Sequence, residues 1–498
     1  MSTGSPPSPS EDASRLLARQ RGAVARLAPV IPLVTALGDR FAAAGHELAL
    51  VGGPVRDAFL GRTSPDLDFT TDATPDQTLE LIRGWADAHW EIGRAFGTIG
   101  MRKGDHLLEV TTYRSDVYDH ASRKPEVSFG TSLSEDLVRR DFTVNAMALR
   151  LPSLELVDEH GGLADLGAGV LRTPARPEDS FADDPLRMLR AARFASQLGF
   201  DVAPPVRTAM AERAHTLSIV SAERVRDELT KLLMSGSPRA GLTLLVDAGL
   251  AEVFLPELPA LQLEIDEHHH HKDVYQHSLT VLEQAITLEG PRTVPGVAQP
   301  ETVTGPDLVL RLAALLHDIG KPATRRFEAG GGVSFHHHEV VGAKLVTKRL
   351  KALRYDKAVV TAVARLVELH LRFHGYGTGE WTDSAVRRYV TDAGPLLPRL
   401  HLLTRSDSTT RNARKAAQLA RTYDALEVRI ERLKAQEELA AVRPELDGRQ
   451  IGKILGVPPG RVIGEAYRFL LGLRLDEGVL GEDVARERLV AWWAERND

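Results

Sequence analysis

A chain of 498 residues with 43% hydrophobic and 26% charged residues is too long for one core, and usual domain sizes suggest about three or four units. The absence of cysteine excludes disulfides and thiolate metal sites, so any metal must be held by His, Asp or Glu, and a net charge of −6 argues against indiscriminate coating of nucleic acid. No run is long enough to span a bilayer, and the Ser/Pro/Gly-rich start lacks a signal-peptide pattern, so a cytoplasmic protein with no membrane partner is expected.

Residues 1–20 read as a disordered tail and 21–170 as a small α+β head. Glu47 to Val51 reads as a short buried strand, which puts Gly52 and Gly53 at a strand end where backbone N–H groups can lie against a triphosphate. If the following Asp66-Leu67-Asp68-Phe69-Thr70-Thr71 is extended, period-two alternation sets Asp66 and Asp68 on one face. Two carboxylates so close are costly without a cation between them, and Mg²⁺ with substrate phosphates suits them. Glu109 lies on a later predicted strand, as a third metal carboxylate or an ordinary cross-strand charge. Arg139 to Ala148 packs two guanidinium groups, Asp141 and Asn145 ahead of an apolar run. A salt-bridged helix cap accounts for the charges. Asn145, on the apolar side, needs a partner such as a ribose hydroxyl.

After Asp179 the strand signals nearly vanish and apolar residues recur at helical spacing through a neck, 171–260, and beyond. Asp183-Asp184-Pro185 reads as a helix start with Pro185 in the first turn, so that Asp184 and Arg187 share a helix face. A carboxylate accepting from the exocyclic amine of cytosine or adenine, beside a guanidinium donating to the ring nitrogen, reads those bases and rejects uracil and guanine. A solvated i,i+3 salt bridge is the plainer alternative.

Gly52-Gly53-x-Val55-Arg56-Asp57, Asp66-x-Asp68, Arg139-Arg140-Asp141-Phe142-Thr143-x-Asn145-Ala146, Asp158-x-x-Gly161-Gly162-x-x-Asp165, Asp183-Asp184-x-x-Arg187-x-x-Arg190-Ala191-x-Arg193-Phe194 and Glu223-Arg224 occur in this order. Together they resemble the class II CCA-adding enzymes, whose close relatives are the bacterial poly(A) polymerases. The resemblance covers roughly residues 25 to 260. It implies a palm-like nucleotidyltransferase head on a mixed sheet, then an all-α neck, body and tail that hold the tRNA acceptor arm. It assigns Asp66 and Asp68 to two catalytic Mg²⁺ ions, and Glu109, from the reading of its own strand, is the candidate third catalytic carboxylate. It assigns Gly52, Gly53 and Arg56 to the triphosphate, Arg140, Asp141 and Asn145 to ribose and phosphates, and Asp184 with Arg187 to recognition of CTP and then ATP. Arg190 and Arg193 of the same motif fall on the nucleotide side. The implied reaction is attack of the tRNA 3′-hydroxyl on the α-phosphate with release of pyrophosphate. Tyr113 to Thr131 corresponds to the family's flexible loop, which favours full CCA over partial addition.

In 261–410, Asp273-Val274-Tyr275-Gln276-His277, Arg311 to Pro322, Phe335 to Gly342 and Val367 to His370 resemble the HD-type metal phosphohydrolases. That resemblance implies His277, His317, Asp318 and Asp407 as ligands, with His338 and His370 for a second ion, and a divalent transition ion such as Ni²⁺ or Mn²⁺. His268 to His271 fit no such pattern. In 411–498, Arg411, Arg414, Lys415, Arg421, Arg429 and Arg432 recur on helical stretches, as phosphate contacts or as solvated charge. A poly(A) polymerase and an HD phosphohydrolase with an RNA-binding head are the competing readings.

Overall fold

The computed structural model describes residues 22–23, 25–63, 66–113, 130, 132–263, 273–328, 332–373, 381–410, 412–437 and 443–496. The expected tail, nearly all of the Tyr113 to Thr131 loop, His268 to His271 and Arg411 lie outside them. The chain folds as two compact units, Met1–Val220 with Ala240–Leu250, and Ser221–Arg239 with Ala251–Asp498. The stretch 171–260 is divided between them.

The first unit is α+β. In chain order it holds α1 (Ile31–Ala43), β1 (Leu48–Val51), α2 (Gly53–Leu60), β2 (Asp66–Thr71), α3 (Pro75–Ile82), β3 (Ala88–Trp90), β4 (Thr98–Lys103), β5 (His106–Thr112), α4 (Leu133–Val138), β6 (Ala148–Leu151), β7 (Glu155–Val157), α5 (Gly162–Ala168), α6 (Pro177–Asp183), α7 (Leu186–Leu198) and α8 (Pro204–Arg213). Seven strands make one sheet in the order β3-β4-β5-β2-β1-β6-β7, with β2 and β5 parallel and every other neighbour antiparallel. On α1, Val34, Leu37, Gly38 and Phe41 form the buried stripe that helical periodicity dictates. A Cβ on Gly38 would come within 2.6 Å of Leu151 on β6, so α1 lies too near the sheet there for any larger residue. Each buried apolar side chain of this layer contributes about 1.5–3 kcal/mol by leaving water.

Alternation on β2 and β5 separates two faces. Leu67, Phe69, Leu108 and Val110 are at most 1% exposed, whereas Asp66 and Glu109 are exposed and Asp68 half-buried. One face is core, and the other is open for chemistry.

Between α6 and α7 the chain departs from a single helix. Asp184 is extended, at φ −146° and ψ 101°, and Pro185 is the N-cap of α7 instead of lying in its first turn. The cause is local, since the ring of a proline disfavours helical backbone in the residue before it. Asp184 therefore sits in a break between two helices, and only Arg187 is on α7.

Among the described residues the second unit is helical apart from a small antiparallel strand pair, Arg326–Phe327 with Val333–Ser334. It includes α9 (Ala222–Leu233), α10 (Val274–Leu288), α11 (Leu308–Leu316), α12 (His338–Ala352), α13 (Lys357–Leu369), α14 (Asp383–Ala393), α15 (Leu397–Ser406), α16 (Ala413–Glu437), α17 (Gly448–Leu455), α18 (Arg461–Glu477) and α19 (Glu482–Ala494). The last three helices share a core of Leu446, Ile451, Ala466, Leu470, Ala485 and Leu489, with Trp492 stacked on Phe469. Gly290 to Pro306 is a loop, pinned by a bridge between Gly290 and Val303. No helix among the described residues is long and apolar enough to cross a membrane.

Candidate active site and metal centre

Strand β1 turns into α2 at Gly52, which has φ 73°, a value cheap only for glycine. A Cβ there would also come 3.3 Å from Nη1 of Arg140. The turn is thus a cradle open to an anion, with a guanidinium against it. Arg140 is held by Asp136 at 3.0 Å, and its buried Nε makes no hydrogen bond.

The parallel register pairs Asp68 directly with Glu109, and Asp66 lies two residues before Asp68 on the same face. Burial raises the Asp68 carboxyl above its ordinary range, the Glu109 charge raises it further, and Asp66 adds to this against the opposing pull of Arg140 and Arg190. A carboxylate placed among like charges fits a cation, so the donor set suits divalent ions.

Behind this face runs a chain of hydrogen bonds. Arg56 donates from Nη1 to Asn145 Oδ1 at 2.7 Å and from Nε to Asp57 at 2.9 Å. Asn145 donates to Asp141 Oδ1 at 3.0 Å, and Asp141 Oδ2 accepts from Arg190 at 2.6 and 2.7 Å. Burial would raise Asp141, but the Arg190 charge and these bonds hold it down at about 2. The buried Asn145 therefore finds its partners inside the protein. Gly162 supports the same segment, since a Cβ there would lie 2.2 Å from the Thr143 carbonyl. Asp165 accepts from the Thr143 hydroxyl at 2.6 Å, and Asp158 caps the Gly162 and Leu163 amides.

Arg187 donates to the Ser180 hydroxyl at 2.9 Å and to the Arg139 carbonyl at 2.7 Å, while Asp184 Oδ1 accepts from the Leu186 amide at 3.1 Å. These bonds fix the Arg187 head from two segments. Arg193 donates to Gln197 at 2.8 Å and lies over the ring of Phe194. Phe194 is a shared contact of three arginines.

In the second unit, His277 comes from α10, His317 and Asp318 from the end of α11, His338 from the start of α12, His370 from the end of α13, and Asp407 from the end of α15. Five separate helices converge. Asp318 Oδ2 is 3.2 Å from His317 Nε2 and 3.7 Å from His277 Nε2, while Oδ1 is 3.3 Å from His338 Nε2. Asp407 is 2.9 Å from His277 Nε2 and 3.5 Å from His317 Nε2.

The Nδ1 atoms of His317, His338 and His370 face the carbonyls of Ala314, Phe335 and Val367 at 2.9, 2.8 and 2.6 Å. A carbonyl only accepts, so each Nδ1 carries a proton, and Nε2 is the ring atom left facing the cluster. Those three Nε2 atoms are buried and make no hydrogen bond. Buried Nε2 atoms gathered beside two carboxylates fit metal ions.

His277/His317/Asp318 and Asp318/His338/His370 each bring their donor atoms within 4.8 Å, so Asp318 is shared between two sets. Burial would lower His317, but Asp318 and Asp407 push it up to about 10; burial and the His317 charge lower His370 to about 3. The turn after Asp318 lies so near α12 that a Cβ on Gly320 would meet the His338 carbonyl at 2.2 Å. Lys321 Nζ, 2.7 Å from Asp318 Oδ2, was not singled out from sequence, although its i+3 spacing after Asp318 is the signal for it.

Of the basic series on α16, Arg414, Lys415 and Arg421 are exposed, whereas Arg429 is tied to Asp383 at 2.7 Å and to the Trp381 carbonyl.

Residues 48–172 match the family described as "Poly A polymerase head domain", 199–261 "Probable RNA and SrmB- binding site of polymerase A", and 274–412 "HD domain". The A-adding tRNA nucleotidyltransferase of Deinococcus radiodurans is 35% identical over 460 residues, which is 90% of this chain and 95% of that protein. The chain belongs to the tRNA nucleotidyltransferase family. The CC-adding tRNA nucleotidyltransferase of Thermus thermophilus is 32% identical over 453 residues, 89% of this chain and 93% of that one. The CCA-adding enzyme of Bacillus subtilis is 44% identical over 217 residues, spanning 43% of this chain and 52% of that enzyme. The crystal structure of the Bacillus stearothermophilus CCA-adding enzyme in complex with CTP shares the fold at TM-score 0.58 and 25% identity, covering 94% of this chain and 98% of its own. This membership implies an enzyme that uses divalent metal, and it agrees with the α+β class expected from the sequence.

Proposed function

We propose that the chain is a template-independent CTP/ATP:tRNA nucleotidyltransferase that builds or repairs the 3′-terminal CCA of tRNA in the cytoplasm. The observation that carries this is the open carboxylate face of β2 and β5, backed by the bonded chain Arg56, Asn145, Asp141 and Arg190 that leads to Arg187. Asp66, Asp68 and Glu109 would hold Mg²⁺, which when bound supplies Lewis-acid activation and charge neutralisation.

The chain's own residues do the rest. The Gly52-Gly53 turn with Arg56 and Arg140 receives the triphosphate. Asp141 and Asn145 fix the arginines behind the nucleotide. Asp184 accepts from the exocyclic amine of C or A, and Arg187, already held by Ser180 and Arg139, donates to the ring nitrogen. A site built around paired hydrogen bonds rejects misfits because its own polar groups would go unsatisfied. The 3′-hydroxyl attacks the α-phosphorus and gives up its proton to solvent, the bond from the α-phosphorus to the bridging oxygen of the β-phosphate breaks, and pyrophosphate leaves. Exposed Arg414, Lys415 and Arg421 are offered to tRNA phosphates.

One observation favours a second reading, partial addition: two relatives matched over nearly their whole length carry A-adding and CC-adding names. A tRNA lacking its 3′ end and a tRNA ending in CC, each offered CTP and ATP separately and together, decide between them. Expected is C, C, then A, with no further growth. Addition of A to the CC end alone, or of C and C alone, establishes partial addition. An A homopolymer establishes a poly(A) polymerase, and no incorporation overturns the proposal.

The second unit would hold two transition ions such as Ni²⁺ or Mn²⁺ on His277, His317, Asp318, Asp407, His338 and His370, and hydrolyse phosphate esters. Imidazole with carboxylate donors suits such ions. His317→Ala is expected to lose bound Mn²⁺, measured by elemental analysis, and Mn²⁺-dependent phosphatase activity, with nucleotide addition within about twofold of wild type because the head's metal ligands are untouched. Loss of nucleotide addition in a folded His317→Ala protein would refute this division of labour.

A further inference from the structure

Phe194 lies on α7 beyond the residues assigned to the nucleotide, 4% exposed. Three guanidinium groups gather on its ring: Arg193 at 4.0 Å from the centroid, Arg56 at 5.2 Å and Arg190 at 5.5 Å. Arg193 and Arg190 are its own helix neighbours, but Arg56 arrives from α2, the helix that opens at the glycine cradle. Phe142, fully buried in the segment that carries Asp141 and Asn145, presents itself to the ring edge-on at 5.8 Å and 88°. The ring is thereby fixed in orientation, and its faces carry the negative part of the quadrupole.

Like charges gathered in one place repel. Their polar partners differ: Arg56 is bonded to Asn145 and Asp57, Arg190 to Asp141 and Arg193 to Gln197. The aromatic ring is the element common to all three, and desolvated cation–π contacts are individually significant. It also ties the cradle helix to the helix of Arg187.

We infer that Phe194 is a positioning residue that pre-assembles Arg56, Arg190 and Arg193 as one cationic array for the triphosphate, whichever base it carries. This rests on the nucleotidyltransferase reading of the head. Pre-assembly lowers the ordering cost at the moment of binding, so its loss falls on KM and spares kcat. It falls equally on CTP and ATP, because the array meets what the two have in common.

The test measures KM and kcat for CTP and ATP, and inhibition by inorganic tripolyphosphate, in wild type, Phe194→Leu and Phe194 replaced by a trifluorinated phenylalanine. Fluorination keeps the shape and drains the quadrupole, so it separates the electrostatic role from packing even if the Leu variant fails to fold. Expected is a rise in both KM values, and in the tripolyphosphate inhibition constant, by the same factor of about tenfold in Phe194→Leu. The fluorinated protein should fall between that variant and wild type, with its melting temperature unchanged. Unchanged KM in the fluorinated protein, a fall confined to kcat, or unequal effects on CTP and ATP overturns the inference. A wild type that incorporates neither nucleotide sinks the nucleotidyltransferase reading itself, whereas an active wild type with indifferent Phe194 variants sinks only the role given to Phe194.

Discussion

Asp68→Ala is expected to lower kcat for nucleotide addition by at least about a thousandfold, the loss that follows when several kcal/mol of transition-state charge stabilisation are removed. The reason is positional. Asp68 is the middle carboxylate of the open face, paired across the sheet with Glu109 and two residues from Asp66, so it belongs to any cation shared among them. The same geometry makes a second, opposite expectation for stability. Burial and its acidic neighbours already penalise the charged form of Asp68, and removing it relieves repulsion without breaking a core contact. The variant should melt at or slightly above the wild-type temperature. Radiolabelled CTP incorporation and a thermal melt on the same preparation check both, and an Asp68→Ala protein retaining a tenth of wild-type activity would remove this residue from catalysis.

Arg311→Met should destabilise the second unit by about 3–5 kcal/mol, the usual result of breaking a buried ion pair by removing one partner. Arg311 is 4% exposed and binds Glu289 through two bonds of 2.7 and 2.8 Å. Its other nitrogen, Nη1, donates to the Leu233 and Ser235 carbonyls at 2.6 and 2.7 Å. Those carbonyls belong to the end of α9, where helix termini leave acceptors without intrahelical donors. Met fills much of the volume but leaves the Glu289 carboxylate buried with the Asp307 amide and no counter-ion, and takes the guanidinium donor from two carbonyls. The double variant Arg311→Met with Glu289→Met should recover part of the loss, because the stranded carboxylate goes with it. Denaturant unfolding of the four proteins in the cycle measures this. A single-variant loss below about 1 kcal/mol would mean that water reaches the pair and that it is not a clasp.

Neither Arg311 nor Glu289 was legible as a pair. They are 22 residues apart, on either side of a loop, and nothing in their local pattern announces that both are buried. The motif residues stood differently. Gly52, Asp66 and Asp68 lie within one strand–turn–helix–strand stretch, so local periodicity was enough to set the carboxylates on one face and the glycines at the turn. The break at Asp184 was also readable, because the following Pro185 disfavours helical backbone before it. Treating Asp183 to Phe194 as one helix overlooked that rule.

Sequence by itself determined the chemistry on offer: oxygen and imidazole ligands in a chain without cysteine, a glycine turn fit for phosphate, a strand with paired carboxylates, and a helix ending in His-Asp. Those features depend on neighbours within a few residues, where backbone sterics and side-chain period dictate the outcome. Only the tertiary structure decided which of them meet. Asp68 stands beside Glu109 because β2 and β5 pair in parallel, three buried Nε2 atoms converge because helices from distant stretches pack around Asp318, and Arg56 reaches Phe194 because both meet the Phe142–Asn145 segment. Such meetings are set by the burial of apolar faces summed over the whole unit, a non-directional force that no local pattern encodes.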